Sequence, residues 1–217
     1  VDTANKVIFL GGQLFMNRND NSFLGTRKPV MIIYSDNDST YISGDTLYSG
    51  VKYDDRVDTL KTIGEDSTLS VQTISSTDTI RFFQAFHNVR IFNDSLQAVC
   101  GELNYSTLDS VFRLYQEPVA WNDKTQISGD TMIVFTQNQK PHLIKVFNNS
   151  FVINHPDPDI FNQISGKTLD AFFIDGNIDM VEVKGFAQTI YYPQNEDSAY
   201  IGMNKTTGNR MYAYFAN

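Results

Sequence analysis

Thr125–Phe135 reads TQISGDTMIVF, Thr40–Gly50 reads TYISGDTLYSG and Asn162–Phe172 reads NQISGKTLDAF. A kernel of Ile-Ser-Gly-Asp/Lys-Thr-Leu/Met therefore stands at Ile42–Leu47, Ile127–Met132 and Ile164–Leu169. Its two apolar ends are separated by an odd number of residues, and strict strand alternation would put them on opposite faces. An interior Gly marks a bulge, a corner or a close backbone approach. A one-residue bulge near Gly-Asp returns both apolar ends to one face. Each kernel therefore reads as a strand that bends at its glycine: Gly44, Gly129 and Gly166. A looser copy, AVCGELNY at Ala98–Tyr105, places a further bend at Gly101, and YIGMNK at Tyr200–Lys205 extends the series. The step from Ile127 to Ile164 and from Ile164 to Ile201 is 37 residues each time. A recurring step marks a repeat architecture, in which one unit cannot bury its apolar face and neighbours must stack.

The residues around the kernels extend the pattern. KPVMIIYSDNDSTYISGDT and EPVAWNDKTQISGDT share Pro-Val, an aromatic, an Asn/Asp turn and the kernel. Short strand-like runs recur at Val7–Leu10, Val30–Tyr34, Ile80–Phe86, Val89–Phe92, Ser110–Tyr115, Pro118–Trp121, Ile144–Phe147, Phe151–Asn154, Val181–Val183, Phe186–Tyr192 and Arg210–Phe215. Between them lie turn signals such as FNDS, WNDKT, FNNS and IDGN. No long stretch carries helical apolar spacing. The reading is an all-β, antiparallel fold of hairpins and meanders, continuous over residues 1–217.

Composition agrees. Aromatic residues make up 13% of the 217-residue chain, and small polar residues fill the gaps, as pleated surfaces joined by turns require. A net charge of −8 argues against nucleic acid as a partner, because phosphate binding needs a basic surface. Cys100 is the single cysteine, so an internal disulfide is excluded, and a buried small hydrophobe is expected there. No apolar run approaches the roughly 20 residues of a membrane-spanning helix. Val1 in place of Met, and an end at YAYFAN in mid-round, lead us to expect a piece of a longer protein.

Chemistry-bearing patterns are sparse. His87, His142 and His155 have no partner at metal-ligand spacing, and no metal or cofactor is expected. Asp36–Ser39 and His155–Asp159 offer oxygens but do not match a calcium loop, so turns are expected. There is no nucleophile elbow, P-loop or dinucleotide fingerprint, and no carboxylate pair stands out. Asn37, Asn93 and Asn148 begin sequons, which matter only in a glycosylating host. What remains is an apolar interior. Phe112, Leu114, Val119, Trp121, Ile127, Met132, Ile144 and Val146 are the expected inward residues, together with Ile164 and Leu169 of the third kernel. They fit either a closed β core or an open-sided trough that holds an acyl chain.

The chain from Phe83 to its end resembles the OstA-like family, the periplasmic lipopolysaccharide-transport proteins of the LptA type. The resemblance lies in Asn-Val followed by an alternating strand (Asn88–Phe92), the Gly129–Asp130 bend and the aliphatic strand Leu143–Phe147 after a polar turn. Gln163–Pro193 repeats the round and Tyr200–Phe215 begins another, while GVKYDDRVDTLKTIGEDSTLS (Gly50–Ser70) departs from the pattern. The resemblance implies an open β-jellyroll, folded like a taco and stacked like a solenoid, with an apolar groove for the acyl chains of lipid A. It implies end-to-end strand addition with other β-jellyroll proteins or with copies of itself, a periplasmic location near the outer membrane of a Gram-negative cell, and no catalytic residue. The expected function is that of a non-enzymatic lipid-carrying scaffold. Two rivals remain: a structural β-repeat that bridges protein partners, and an all-β carbohydrate-binding or carbohydrate-active module.

Overall fold

The computed structural model describes residues 6–34, 39–63, 69–94, 96–137 and 140–215, with side chains described outside 54–78. The strands are β1 (Val7–Leu10), β2 (Gln13–Asn17), β3 (Ser22–Thr26), β4 (Val30–Tyr34), β5 (Ser39–Ser43), β6 (Thr46–Ile63), β7 (Leu69–Phe92) and β8 (Gln97–Ser106). They continue as β9 (Val111–Tyr115), β10 (Val119–Asn122), β11 (Thr125–Ser128), β12 (Thr131–Gln137), β13 (Lys140–Asp157), β14 (Ile160–Ile174), β15 (Asn177–Tyr191) and β16 (Asn204–Tyr214). All described pairings are antiparallel, so the protein is all-β.

The sheet is folded along a corner into two arms. The first arm runs β1-β4-β5-β7-β8-β10-β11-β13-β14-β15-β16. The second runs β2-β3-β6-β7-β8-β9-β12-β13 and continues through the same β14, β15 and β16. The long strands cross the corner. β7 pairs β5 through Arg90–Phe92 and β6 up to Phe86, and β13 pairs β11 through Phe151–Asn154 and β12 up to Phe147.

Two kinds of bend alternate at the corner. One is a pair of left-handed residues: Arg27–Lys28, His87–Asn88, Gln116–Glu117, Asn148–Asn149 and Gly185–Phe186, each with positive φ. Such a pair normally closes a two-residue hairpin. In β7 and β13 it does not, because the strand keeps the same neighbour on both sides of it. Phe86 faces Glu102 and Val89 faces Cys100, so two residues oppose one, which defines a bulge. This is why runs that read as separate strands, Ile80–Phe86 with Val89–Phe92 and Ile144–Phe147 with Phe151–Asn154, are single bent strands.

The other bend is the kernel. Ile42 with Leu47, Ala98 with Leu103, Ile127 with Met132 and Ile164 with Leu169 are all buried, so apolar parity slips by one at each copy. Gly129 and Gly166 have ordinary φ. Glycine serves close approach there: a Cβ on Gly129 would strike the Val146 side chain and lie 3.0 Å from Asn148 O, and one on Gly166 would strike Val183. The looser copy is offset. By burial parity Cys100 takes the glycine place, and Gly101 takes the place of Asp45, Asp130 and Lys167. The Gly101 amide donates across the corner to Gln116 O, as the Asp45 amide does to His87 O and the Asp130 amide to Asn148 O. The fifth copy is not a corner: Ile201 is exposed in the loop before β16.

Register lines the inward side chains into rows. Beside the corner run Leu47, Ala85, Leu103, Leu114, Met132, Val146, Leu169 and Val183, all buried. One row further out on the second arm run Phe23, Ser49, Phe83, Tyr105, Phe112, Val134, Ile144, Ala171 and Val181.

Candidate ligand-binding cavity

The arms do not meet evenly. Between β1 and the start of β13 they enclose a cavity of about 840 Å³, inside the roughly 300–1,000 Å³ range of small-ligand sites. Its first-arm wall is Val7 and Phe9 of β1, Met31 and Ile33 of β4, and Ile91 and Ala98. Its second-arm wall is the aromatic part of the outer row, Phe23, Phe83, Tyr105 and Phe112, with Leu114 and Val134 behind. Tyr105 and Phe112 lie with ring centroids 4.5 Å apart, and Phe9 reaches across the arms to Phe23 at 4.1 Å. Both pairs are tilted, with 32° and 34° between the ring planes.

The mouth is polar. Thr40 and Asn93 stand at the tip of the first arm, and Arg81, Thr107, Ser110 and Thr136 at the tip of the second. Among the described lining residues Arg81 alone is charged. Leu14, Phe15 and Met16 of β2 form an exposed apolar lip at the amino-terminal end; Met16 is 69% exposed.

Beyond Val134 and Pro141 the cavity stops. Ile144, Val146, Ala171, Val181 and Val183 are fully buried, and Phe173 and Ile178 nearly so. The arm tips are tied there: Asn122 Nδ2, at the end of β10, donates to Gly176 O in the β14–β15 turn at 2.9 Å. On the outer face of this closed half, Asp170 takes Lys145 and Lys184, and Glu182 takes Lys184 and Arg210. Burial pushes the Glu182 carboxyl up, but hydrogen bonds from Lys184, Tyr212 and Arg210 outweigh it and hold it below its ordinary value.

The residues expected inward divide into three groups. Phe112 and Leu114 line the cavity. Ile127, Met132, Ile144, Val146, Ile164 and Leu169 are inward but sit in the closed core. Val119 and Trp121 lie on the opposite face and correct the expectation. β10 buries Ala120 and Asn122, Ala120 pairs with buried Ala98 and Ile127, and Trp121 pairs with Gln97 and Gln126 on the outside. Its indole Nε1 donates to Gln126 Oε1 at 2.9 Å. The slip at the corner reverses the parity on which the expectation rested. The first-arm wall escaped the sequence reading, although Val7 with Phe9 and Met31 with Ile33 alternate in plain view.

Cys100 is buried, and desolvation pushes its thiol up to about 12, so it is an unreactive core group. His87 is exposed at the corner, His142 lies against Phe135 and His155 stacks on Phe161. Among the described residues no group of three or more His, Cys, Asp or Glu is placed to hold a metal. Residues 36–38 of the acidic turn, Asn37 included, lie outside the described residues. No protein-family model matches the chain, and no curated protein matches it in sequence.

Proposed function

We propose that the protein is a non-enzymatic scaffold that holds lipid acyl chains between the arms of its sheet, of the kind used in lipopolysaccharide transport and outer-membrane assembly. The observation that carries this reading is the cavity: apolar walls from both arms, a polar mouth and a volume of about 840 Å³. Burying an acyl chain in such a space contributes about 0.8 kcal/mol per methylene, enough for binding without any reacting group. The folded sheet and alternating corners support the comparison with the open OstA-like jellyroll, and with it a periplasmic site of action.

Native mass spectrometry with and without lipopolysaccharide tests the reading, with Ser49→Trp as the blocking variant, because Ser49 is a small residue of the second-arm wall. A complex formed by the wild type and lost in the variant is expected. Trp121 fluorescence stays unchanged on binding, since that ring faces away from the cavity. Absence of any complex from a folded, monodisperse sample overturns the proposal.

A second reading, a bridge between protein partners, is favoured by β16. It pairs only β15 among the described strands, and it exposes Tyr212 and Tyr214 along its length. An open edge of this kind accepts an added strand.

A further inference from the structure

The two ends of the cavity are not alike. At the carboxy-terminal end Ile144, Val146, Ala171, Val181 and Val183 have no accessible surface, and the Asn122–Gly176 hydrogen bond ties the arm tips. At the amino-terminal end the apolar lining runs out to the surface. Leu14 faces Gly25 and Met16 faces Phe23, so these two residues of β2 end the two inward rows of the second arm. Both line the cavity, yet they are 43% and 69% exposed. An aromatic contact stands between this lip and the interior. Phe9 of β1 meets Phe23 of β3 across the gap between the arms, with ring centroids 4.1 Å apart. Among the described strands β1 pairs only β4, along Val7–Leu10, so Phe9 sits on a short edge strand. Such weakly held elements open at low cost compared with the core of a fold.

We propose that acyl chains enter and leave the cavity at this end, over the β2 lip, through a gate formed by Phe9 and Phe23. The proposal rests on the acyl-chain reading above and adds a route to it. The other way in, between the arm tips, passes the polar groups of Thr40, Thr107, Ser110 and Thr136. On the β2 route an alkyl chain slides from Leu14 and Met16 to Phe23 and on to Phe83 without leaving apolar surface, so each methylene is drawn out of water as it advances. With the two rings in contact the track is interrupted. When Phe9 turns away or β1 shifts outward, the track is continuous. Because the carboxy-terminal end is packed, a chain that enters at the lip also leaves there, and the cavity stores a chain rather than passing it along the sheet.

The test follows a neutral alkyl probe, pyrene-decanol, into the full chain by stopped-flow fluorescence. In a variant carrying Phe9→Cys and Phe23→Cys the two new thiols are joined by a short bis-methanethiosulfonate linker, which reductant removes. Cys100 does not compete, because it is buried and its thiol is pushed up to about 12. Protein linked before loading is expected to take up the probe about tenfold more slowly or not at all. Protein linked after loading is expected to retain the probe, and reductant to restore exchange in both. Phe9→Ala is expected to raise the association and dissociation rates by about tenfold, the effect of losing one aromatic pair, and to leave their ratio nearly unchanged. Met16→Asp, on the lip, is expected to slow association, and Ser110→Asp, at the arm tip, to leave it unchanged. Uptake by the linked protein at the unlinked rate, or a larger effect of Ser110→Asp than of Met16→Asp, sends the chain between the arm tips and overturns this proposal while the acyl-chain reading stands. Failure of the wild type to bind the probe overturns both. Melting curves of the linked, reduced and wild-type proteins separate a gating effect from a folding one.

Discussion

From β1 to the start of β13 the two arms stand apart around a cavity, and beyond Val134 and Pro141 the same arms close on each other as far as β15. The corner is the same in both regions, with left-handed pairs alternating with kernel bends. The difference lies one row out. Along that row the open half carries four rings, Phe23, Phe83, Tyr105 and Phe112, with Ser49 and Val134, and the closed half carries Ile144, Ala171 and Val181 without a ring. Broad rings on one arm hold the other at a distance, and Ala and Val let it approach to packing contact. One backbone design thus yields a pocket or a core according to the size of a few inward residues.

The sharpest way to break this comparison is to remove equal bulk from each half. Leu169→Ala, in the closed half, leaves a void among rigid neighbours and is expected to cost about 2–5 kcal/mol in a denaturant titration. Ile91→Ala, on the cavity wall, removes a group that already faces open space and is expected to cost less than about half as much. Equal losses would mean that the cavity is closed in solution.

The corner itself is probed next. Gly129→Val drives a side chain into Val146 and toward Asn148 O, and about 1–3 kcal/mol of destabilisation is expected. Ser128→Val, the neighbouring half-buried residue, is expected to stay within about 0.5 kcal/mol. Equal thermal shifts for the two would remove close approach as the reason for the repeated glycine.

Asn122→Ala unties the arm tips and leaves the Gly176 carbonyl without that donor. A loss of about 1–3 kcal/mol is expected, with faster amide exchange at Ile174–Asn177 than at the corner. Unchanged exchange there would show that apolar packing alone holds the half shut.

The smallest effect concerns pH. The folded-state pKa of Glu182 lies below its ordinary value of 4.5, so its contribution is complete above that value and is lost as pH falls through the folded pKa. Acidification is therefore expected to destabilise the wild type more than Glu182→Gln, and the two acid-unfolding curves converge at the low end. Parallel curves would assign the acid response to other carboxylates.

Much of the fold is legible in the residues. The kernels announce a strand that turns a corner and keeps its apolar ends on one side, because the odd separation of Ile42 and Leu47, or of Ile127 and Met132, admits no other regular solution. Asn148–Asn149 announces a bend, since Asn tolerates left-handed backbone. The sequence reading took the same pair for a hairpin, because nothing local distinguishes a reversal from a bulge. Only the neighbouring strand decides, by pairing both before and after it.

The all-β class, the corners and the buried kernel residues follow from the sequence by itself, because they rest on local alternation, backbone preference and turn chemistry. The face that Trp121 presents, the rows that run from Phe23 to Val181 and the place where the arms part were decided by tertiary structure alone. Each of these depends on register between strands far apart in the chain, and a slip of one residue sends a side chain to the other face.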